Sequence, residues 1–200
     1  AVNSAAFDLN AACSGFIYAT ANAAGMIESG FVKKALVIGT EKLSGLMDYR
    51  DRSTSVLFGD GAGAAVYEAT EGDAGVLAVD IGADGGKGQT MVLKSMGTNG
   101  NVFNPLLVEE MALHFEGQAV FKIAVQGIAA SVTRVLETAG FDSEDVDVVI
   151  PHQANGRIVD AATRLLKFDE NKVFMNIENL GNTGAASIPM AISDALDSNQ

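Results

Sequence analysis

Ala5-Ala6-Phe7-Asp8-Leu9, then an alanine-rich run from Ser14 to Ser29, then Ala35-Leu36-Val37-Ile38-Gly39: these three stretches set the class of fold. The first reads as a short strand. In the second, Phe16, Ile17, Ala24 and Ile27 lie among small residues, the composition of a mostly buried helix, and Gly30 breaks it where a C-terminal glycine belongs. The third is a continuous apolar run of buried-strand length. Strand, helix, strand is a βαβ unit, so the class is α/β.

Further along, residues 41–55 are polar and charged and Phe58-Gly59-Asp60-Gly61-Ala62-Gly63 reads as a glycine-rich turn, followed by strands at Ala64–Glu68 and Val76–Ile81. Residues 84–105 read as a long loop, of the kind that usually serves function. A helix is expected from Phe115 to Ala139, closed by Gly140; a strand over Asp147–Ile150, stopped by Pro151; a helix over Asn155–Leu166; a short strand at Val173–Met175; and a last helix over Ala185–Leu196. No linker-like stretch divides the chain. A Cys-bearing unit followed by a His-bearing unit suggests two related α/β halves, 1–84 and 85–200.

The chain has 200 residues, 48% of them apolar, enough for a real core. Its formal charge of −12, from 25 acidic against 13 basic residues, argues against nucleic acid as a partner, because phosphate binding needs a basic footprint. The single cysteine, Cys13, excludes an internal disulfide and fits a reducing compartment. The N-terminus has no signal-peptide pattern and no apolar run reaches the roughly 18 residues of a membrane span. The expectation is a soluble, cytoplasmic protein with no membrane partner.

Three residues carry the chemistry. Cys13 follows the first strand and opens a helix, where the helix dipole and unpaired backbone N–H groups favour thiolate, and Ala11, Ala12, Ser14 and Gly15 leave room for a substrate. An inert buried cysteine fits the position equally well. His152 lies just past the strand ending at Ile150, where ligands bind in open α/β sheets. It could relay a proton or donate to developing negative charge, or simply be satisfied in a turn. Asn182, between Gly181 and Thr183-Gly184, could offer an amide donor or be a left-handed turn residue. His114 receives no role. Gly59–Gly63 and Asp80–Gly85 invite a phosphate-loop reading, but neither has the lysine or Ser/Thr a P-loop needs.

Taken together, Ala11-Ala12-Cys13-Ser14-Gly15-Phe16, Asp51-Arg52-Ser53-Thr54 running into Leu57–Ala64, Pro151-His152-Gln153-Ala154-Asn155 and Gly181–Pro189 resemble the β-ketoacyl-acyl-carrier-protein synthase III family. The resemblance covers essentially the whole chain. An Asn as third member separates this branch from thiolases, which use a second Cys, and from elongating synthases, which use a second His. What it implies is a thiolase-like layered α/β/α/β/α fold, present here as the end of the first half and most of the second. It also implies a decarboxylative Claisen condensation of an acyl-CoA primer with malonyl-carrier protein, starting a fatty-acid chain.

In that scheme Cys13 carries the acyl group, while His152 and Asn182 stabilise the enolate of the malonyl thioester. Arg52, Gly117, Gln118 and Ala154 fall at the CoA and pantetheine site, although the family usually has Asn at Gln118 and many members have Ser at Gly184. Lys122, Arg157 and Arg164 match a basic surface that receives the acidic carrier protein. A homodimer is implied, and neither metal nor redox cofactor. Family members are much longer, so a leading segment and a trailing one, with a glycine-rich loop of the oxyanion hole, are expected to be absent and the 200 residues alone to be inactive. The acyl pocket is expected to draw on residues 84–107. The alternatives are a sibling enzyme making a quinolone or polyketide precursor, one moving acyl groups without condensing, or a non-catalytic thiolase-fold fragment. A Cys-His-Asn protease lacks its expected Cys segment.

Overall fold

The computed structural model describes residues 3–72, 74–93 and 113–198. Helix α1 spans Gly15–Glu28, strand β1 Lys34–Lys42 and strand β2 Asp60–Glu68. Short strands β3, Met91–Leu93, and β4, Leu113–Phe115, precede the long helix α2, Gly117–Ala139. Helices α3, Gly156–Leu166, α4, Ile177–Leu180, and α5, Ser187–Asp197, complete the order. Gly30 and Gly140 both take positive φ, 74° and 75°, and turn the chain out of α1 and α2 as glycine permits.

β1 and β2 pair antiparallel from Lys34↔Glu68 to Lys42↔Asp60, with Lys34 and Glu68 ion-paired at the open end. Period-two alternation sends Ala35, Val37, Ala65 and Tyr67 toward α1 and α5, where they meet Phe16, Ala23, Ile188 and Ile192. Leu36, Ile38 and Val66 point the other way and are exposed, so the apolar run 35–39 is half-buried rather than buried on both faces among the described residues. A second core, Phe174, Ala191 and Ala195 with Ile150, also draws on α5. Helix α5 is thus the shared wall.

The glycine-rich segment is not a turn. It leads into the start of β2, and its alternate glycines let the chain from Leu180 to Met190 lie against the sheet. A Cβ on Gly59 would come within 2.3 Å of the Leu180 carbonyl oxygen, on Gly61 within 2.6 Å of Met190 Sδ, and on Gly63 within 2.8 Å of the Met190 backbone nitrogen. Gly39 does the same from β1, facing the Ala185 carbonyl oxygen at 2.5 Å. At Gly39, Gly59 and Gly63 the obstruction is backbone, which cannot step aside, whereas at Gly61 it is the flexible end of Met190.

Other expected strands are not formed. Ala5–Leu9 is irregular and largely exposed, so the opening βαβ unit is absent; an extended segment becomes a strand only when a neighbour takes its backbone hydrogen bonds, and none of the described residues does. Val76–Ile81 is likewise irregular, tied down instead where Asp80 binds Arg134 and Ser131 of α2. Asp147–Ile150 and Val173–Met175 contract to one parallel bridge, Val149↔Val173, ended by Pro151, which has no N–H to continue it. Of the expected loop 84–105, residues 85–90 form a 3-10 turn and 91–93 form β3; residues 94–107 lie outside the described residues.

Helix α2 also departs from the reading that no segment has membrane-spanning character. By length and composition alone it is long and apolar enough to cross a membrane. It carries Lys122 and Arg134 and packs along α3, and none of its residues is buried against the described residues.

Candidate active site

Cys13 sits in a 3-10 turn, Ala12–Ser14, that leads directly into α1. Ala12 adopts φ 46°, a conformation that costs a non-glycine residue about 1–2 kcal/mol and persists only where surroundings enforce it. The Asn10 side chain accepts a hydrogen bond from the Ala12 N–H at 3.1 Å, and the Ser14 N–H bonds the Ala11 carbonyl. The turn is thereby held with Cys13 at its crown.

The expected preference for thiolate is not met. Burial pushes the thiol pKa above its ordinary value, the Glu41 carboxylate adds to the rise, and a backbone hydrogen bond only partly offsets them. Cys13 is a thiol at rest. The dipole argument is local, whereas desolvation comes from the tertiary packing around the turn.

His152 is neutral near pH 7, because burial lowers its pKa from 6.5 to about 4. Its Nδ1 lies 2.6 Å from Ser187 Oγ at the start of α5. Its Nε2 is buried and has no hydrogen-bond partner among the described residues. The next residue, Gln153, is almost wholly buried and works as a clamp. Its side-chain amide donates to the carbonyls of Pro151 and Phe174, at 3.0 and 3.3 Å, and accepts from the Asn176 N–H.

Asn182 is held by its backbone. Its N–H donates to the Leu57 carbonyl and its own carbonyl accepts from the Gly59 N–H, both at 2.9 Å, so the Leu57–Gly59 segment carries it like a short parallel strand. Its Oδ1 accepts from the Gly184 N–H at 3.0 Å, and its Nδ2 hydrogens have no acceptor among the described residues. Glu41, on β1, accepts from the Ala185 N–H and braces the same turn. Asn182 is not the left-handed residue of the turn reading: the positive φ angles fall on its glycine neighbours, Gly181 at 69° and Gly184 at 55°, while Asn182 itself bridges Phe58.

Cys13, His152 and Asn182 line one cavity of about 850 Å³. Gly117, Gln118 and Ala154 line it too, as do Arg157 and Arg164 from α3. Arg52 is exposed on the turn beside Ser53, which reaches the wall, and Lys122 is exposed on α2 outside the lining. The sequence reading passed over the apolar wall. Phe58 and Phe115 meet edge to face at 6.4 Å between centroids, and Met91, Phe121 and Ile158 extend that surface. It also passed over Ser187, whose only sequence signal is a serine two residues before Pro189 at a helix start.

The buried His152 gives a pH signature. Between about pH 6.5 and pH 4 the unfolded chain takes up a proton at this site that the folded chain refuses, so stability falls as pH drops through that window, by about 3 kcal/mol when complete. Asp48 and Asp80, held at about 2 by hydrogen bonds from Arg50 and Arg134, add their own losses only at lower pH. Urea unfolding at pH 7 and pH 4.5 should show the loss in the wild type, and His152→Gln should flatten it. An equal pH slope in both proteins would remove His152 as the cause.

Comparison with known proteins agrees over nearly the whole chain. The family model described as 3-oxoacyl-acyl-carrier-protein synthase III matches residues 7–85, and the model of its C-terminal part matches residues 136–200. The β-ketoacyl-acyl-carrier-protein synthase III of Caldanaerobacter subterraneus is 43% identical over 196 residues, covering 98% of this chain and 59% of the relative. That of Desulfitobacterium hafniense is 44% identical over 200 residues, with 98% and 59% covered. The crystal structure of 3-oxoacyl-acyl-carrier-protein synthase III from Aquifex aeolicus superposes with a TM-score of 0.90 at 42% identity, covering 99% of this chain and 60% of that one. A priming β-ketosynthase from a polyketide biosynthetic pathway superposes at 0.89 with 35% identity, covering 98% and 58%. The chain spans about three-fifths of the length of the curated relatives it matches.

Proposed function

The chain belongs to the 3-oxoacyl-acyl-carrier-protein synthase III family and has its thiolase-like α/β fold, and from that premise we propose that the protein carrying it initiates fatty-acid synthesis by condensing an acyl-CoA primer with malonyl-carrier protein. The observation that carries this reading is the convergence of one thiol, one neutral imidazole with an unpartnered nitrogen, and one free amide donor on a single cavity.

The steps follow from those groups. Cys13 gives up its proton and its sulfur attacks the acyl-CoA thioester carbonyl; the C–S bond to CoA breaks and CoA leaves as its thiol. Malonyl-carrier protein then binds. Its bond to the terminal carboxylate breaks, carbon dioxide departs, and the electron pair passes into the thioester as an enolate. His152 and Asn182 donate hydrogen bonds to the enolate oxygen as its charge grows. The enolate carbon attacks the acyl carbonyl on Cys13, the C–S bond to the enzyme breaks, and the released thiolate is reprotonated. The product is a β-ketoacyl-carrier protein. The thioesters supply the activation, so no metal or redox group enters these steps.

Mixing the full-length protein with a panel of acyl-CoAs, reading intact mass, and then adding malonyl-carrier protein and measuring carbon dioxide tests this reading. Acylation followed by condensation supports it; no acylation by any acyl-CoA would end it. The likeness to the priming β-ketosynthase supports a second reading, a primer for polyketide synthesis, and the acyl chains accepted in that panel separate the two.

Arg157 and Arg164, exposed on α3 at the cavity, and Lys122 on α2 belong to the same proposal as the docking surface for the carrier protein. On a chain of net charge −12 an acidic partner needs a local positive patch. Arg157→Glu should raise KM for malonyl-carrier protein on the order of tenfold at low salt, and less at high salt, with far less effect on acylation by acyl-CoA. Equal damage to both half-reactions would point to a CoA contact instead. A cytoplasmic homodimer whose halves divide at residues 84 and 85 completes the proposal, and sedimentation of the full-length protein checks the dimer.

A further inference from the structure

The role just proposed for His152 needs its buried nitrogen to be a hydrogen-bond donor, and nothing in an imidazole guarantees that. A neutral ring has one N–H, on either Nδ1 or Nε2. With the hydrogen on Nδ1, Nε2 would present a lone pair to the oxygen it is meant to stabilise.

We propose that Ser187 is a positioning residue that sets the Nε2–H form of His152, with the backbone amide of Gln153 fixing the direction of the bond. The inference rests on the condensing role given to His152 above. The contact of 2.6 Å between His152 Nδ1 and Ser187 Oγ fits either direction, because a hydroxyl both donates and accepts. The second contact breaks the symmetry. The Gln153 N–H lies 3.3 Å from the same Oγ, and an N–H only donates. Ser187 Oγ therefore accepts from Gln153, and its own hydrogen needs an acceptor. Ser187 is 2% exposed, so water is not that acceptor. Were Nδ1 also to donate, Oγ would accept twice and leave a buried O–H unpaired, which is costly. The hydroxyl donates to Nδ1, and the ring hydrogen goes to Nε2.

The lock extends further back. The Gln153 backbone is kept in place by its side chain, which spans Pro151, Phe174 and Asn176, and Asn176 Nδ2 in turn donates to Asp194 Oδ2 on α5 at 2.7 Å. Helix α5 supplies both ends of this relay, Ser187 and Asp194. Among the described residues the Nε2–H has no acceptor; a thioester oxygen, which only accepts, is the group that completes it.

Long-range proton–nitrogen spectra of the full-length protein labelled with 15N-histidine, with the His152 signals assigned by their loss in His152→Gln, read the form directly near pH 7, where the ring is neutral. The wild type is expected in the Nε2–H form. Ser187→Ala should lose part of that population and slow malonyl-carrier decarboxylation about tenfold, while Cys13 is still acylated, which also reports a folded variant. An Nδ1–H ring in the wild type overturns the proposal without any variant. So does a Ser187→Ala protein that keeps both the Nε2–H form and full decarboxylation. A wild type that is Nε2–H yet takes no acyl group upholds the Ser187 assignment and sinks the condensing reading instead.

Discussion

Cys13→Ala is expected to abolish the acyl-enzyme: the wild type should gain one acetyl mass from acetyl-CoA, and the variant none. Cys13 is the sole cysteine of the chain and it lines the cavity beside His152 and Asn182. Ser14, the next residue in the chain, is not among the residues that line the cavity. Loss of the nucleophile from a working trio typically removes a rate factor on the order of a million. The thiol is raised above its ordinary pKa, so acylation in the wild type should speed up as pH rises toward that value. The variant keeps His152 and Asn182, so it should still release carbon dioxide from malonyl-carrier protein without forming a carbon–carbon bond. Peptide mapping that finds the acetyl group on any residue but Cys13 would sink the assignment.

What could be read ahead of the structure was whatever is written locally. Gly30 and Gly140 end their helices because only glycine takes that φ without penalty, and the helix from Gly117 to Ala139 carries its own apolar pattern. Cys13, His152 and Asn182 were legible as short motifs, each at the junction of two elements. Their burial was not. The helix-start argument at Cys13 pointed to thiolate, and the packing around it, with Glu41 delivered by β1, reversed the sign. Gly59, Gly61 and Gly63 were read as a turn because glycine is the usual turn residue; their spacing of two is that of one strand face, and the contacts that require them come from Leu180 and Met190, far away in sequence. The bond between His152 and Ser187 joins residues 35 apart and has no local trace. Strands suffer most. Ala5–Leu9 and Val76–Ile81 have suitable composition, but a strand exists only through a partner, and composition does not name one.

His152→Ala and Asn182→Ala should each leave acylation of Cys13 intact and cut decarboxylation of malonyl-carrier protein by about a hundred- to a thousandfold, the usual cost of removing one donor from an oxyanion site. The separation is the point. Acylation draws on the thiol and the primer, whereas the enolate forms only once the malonyl group is bound. The two donors act on one oxygen, so the double variant should lose less than the product of the single losses. Asn182→Ala has a side effect, because it also strips the Gly184 N–H of its acceptor at a buried position and should cost about 1 kcal/mol of stability. Asn182→Asp keeps an oxygen for the Gly184 N–H, replaces the amide donor with a second oxygen, and sets a negative charge against the developing enolate. A carboxylate at this buried position carries its own stability cost, so the comparison is made on protein that still acylates Cys13, and that protein should be at least as impaired as Asn182→Ala in releasing carbon dioxide. If Asn182→Asp decarboxylates at the wild-type rate, the enolate oxygen is not bound at residue 182, and the role of the third member of the trio is structural alone.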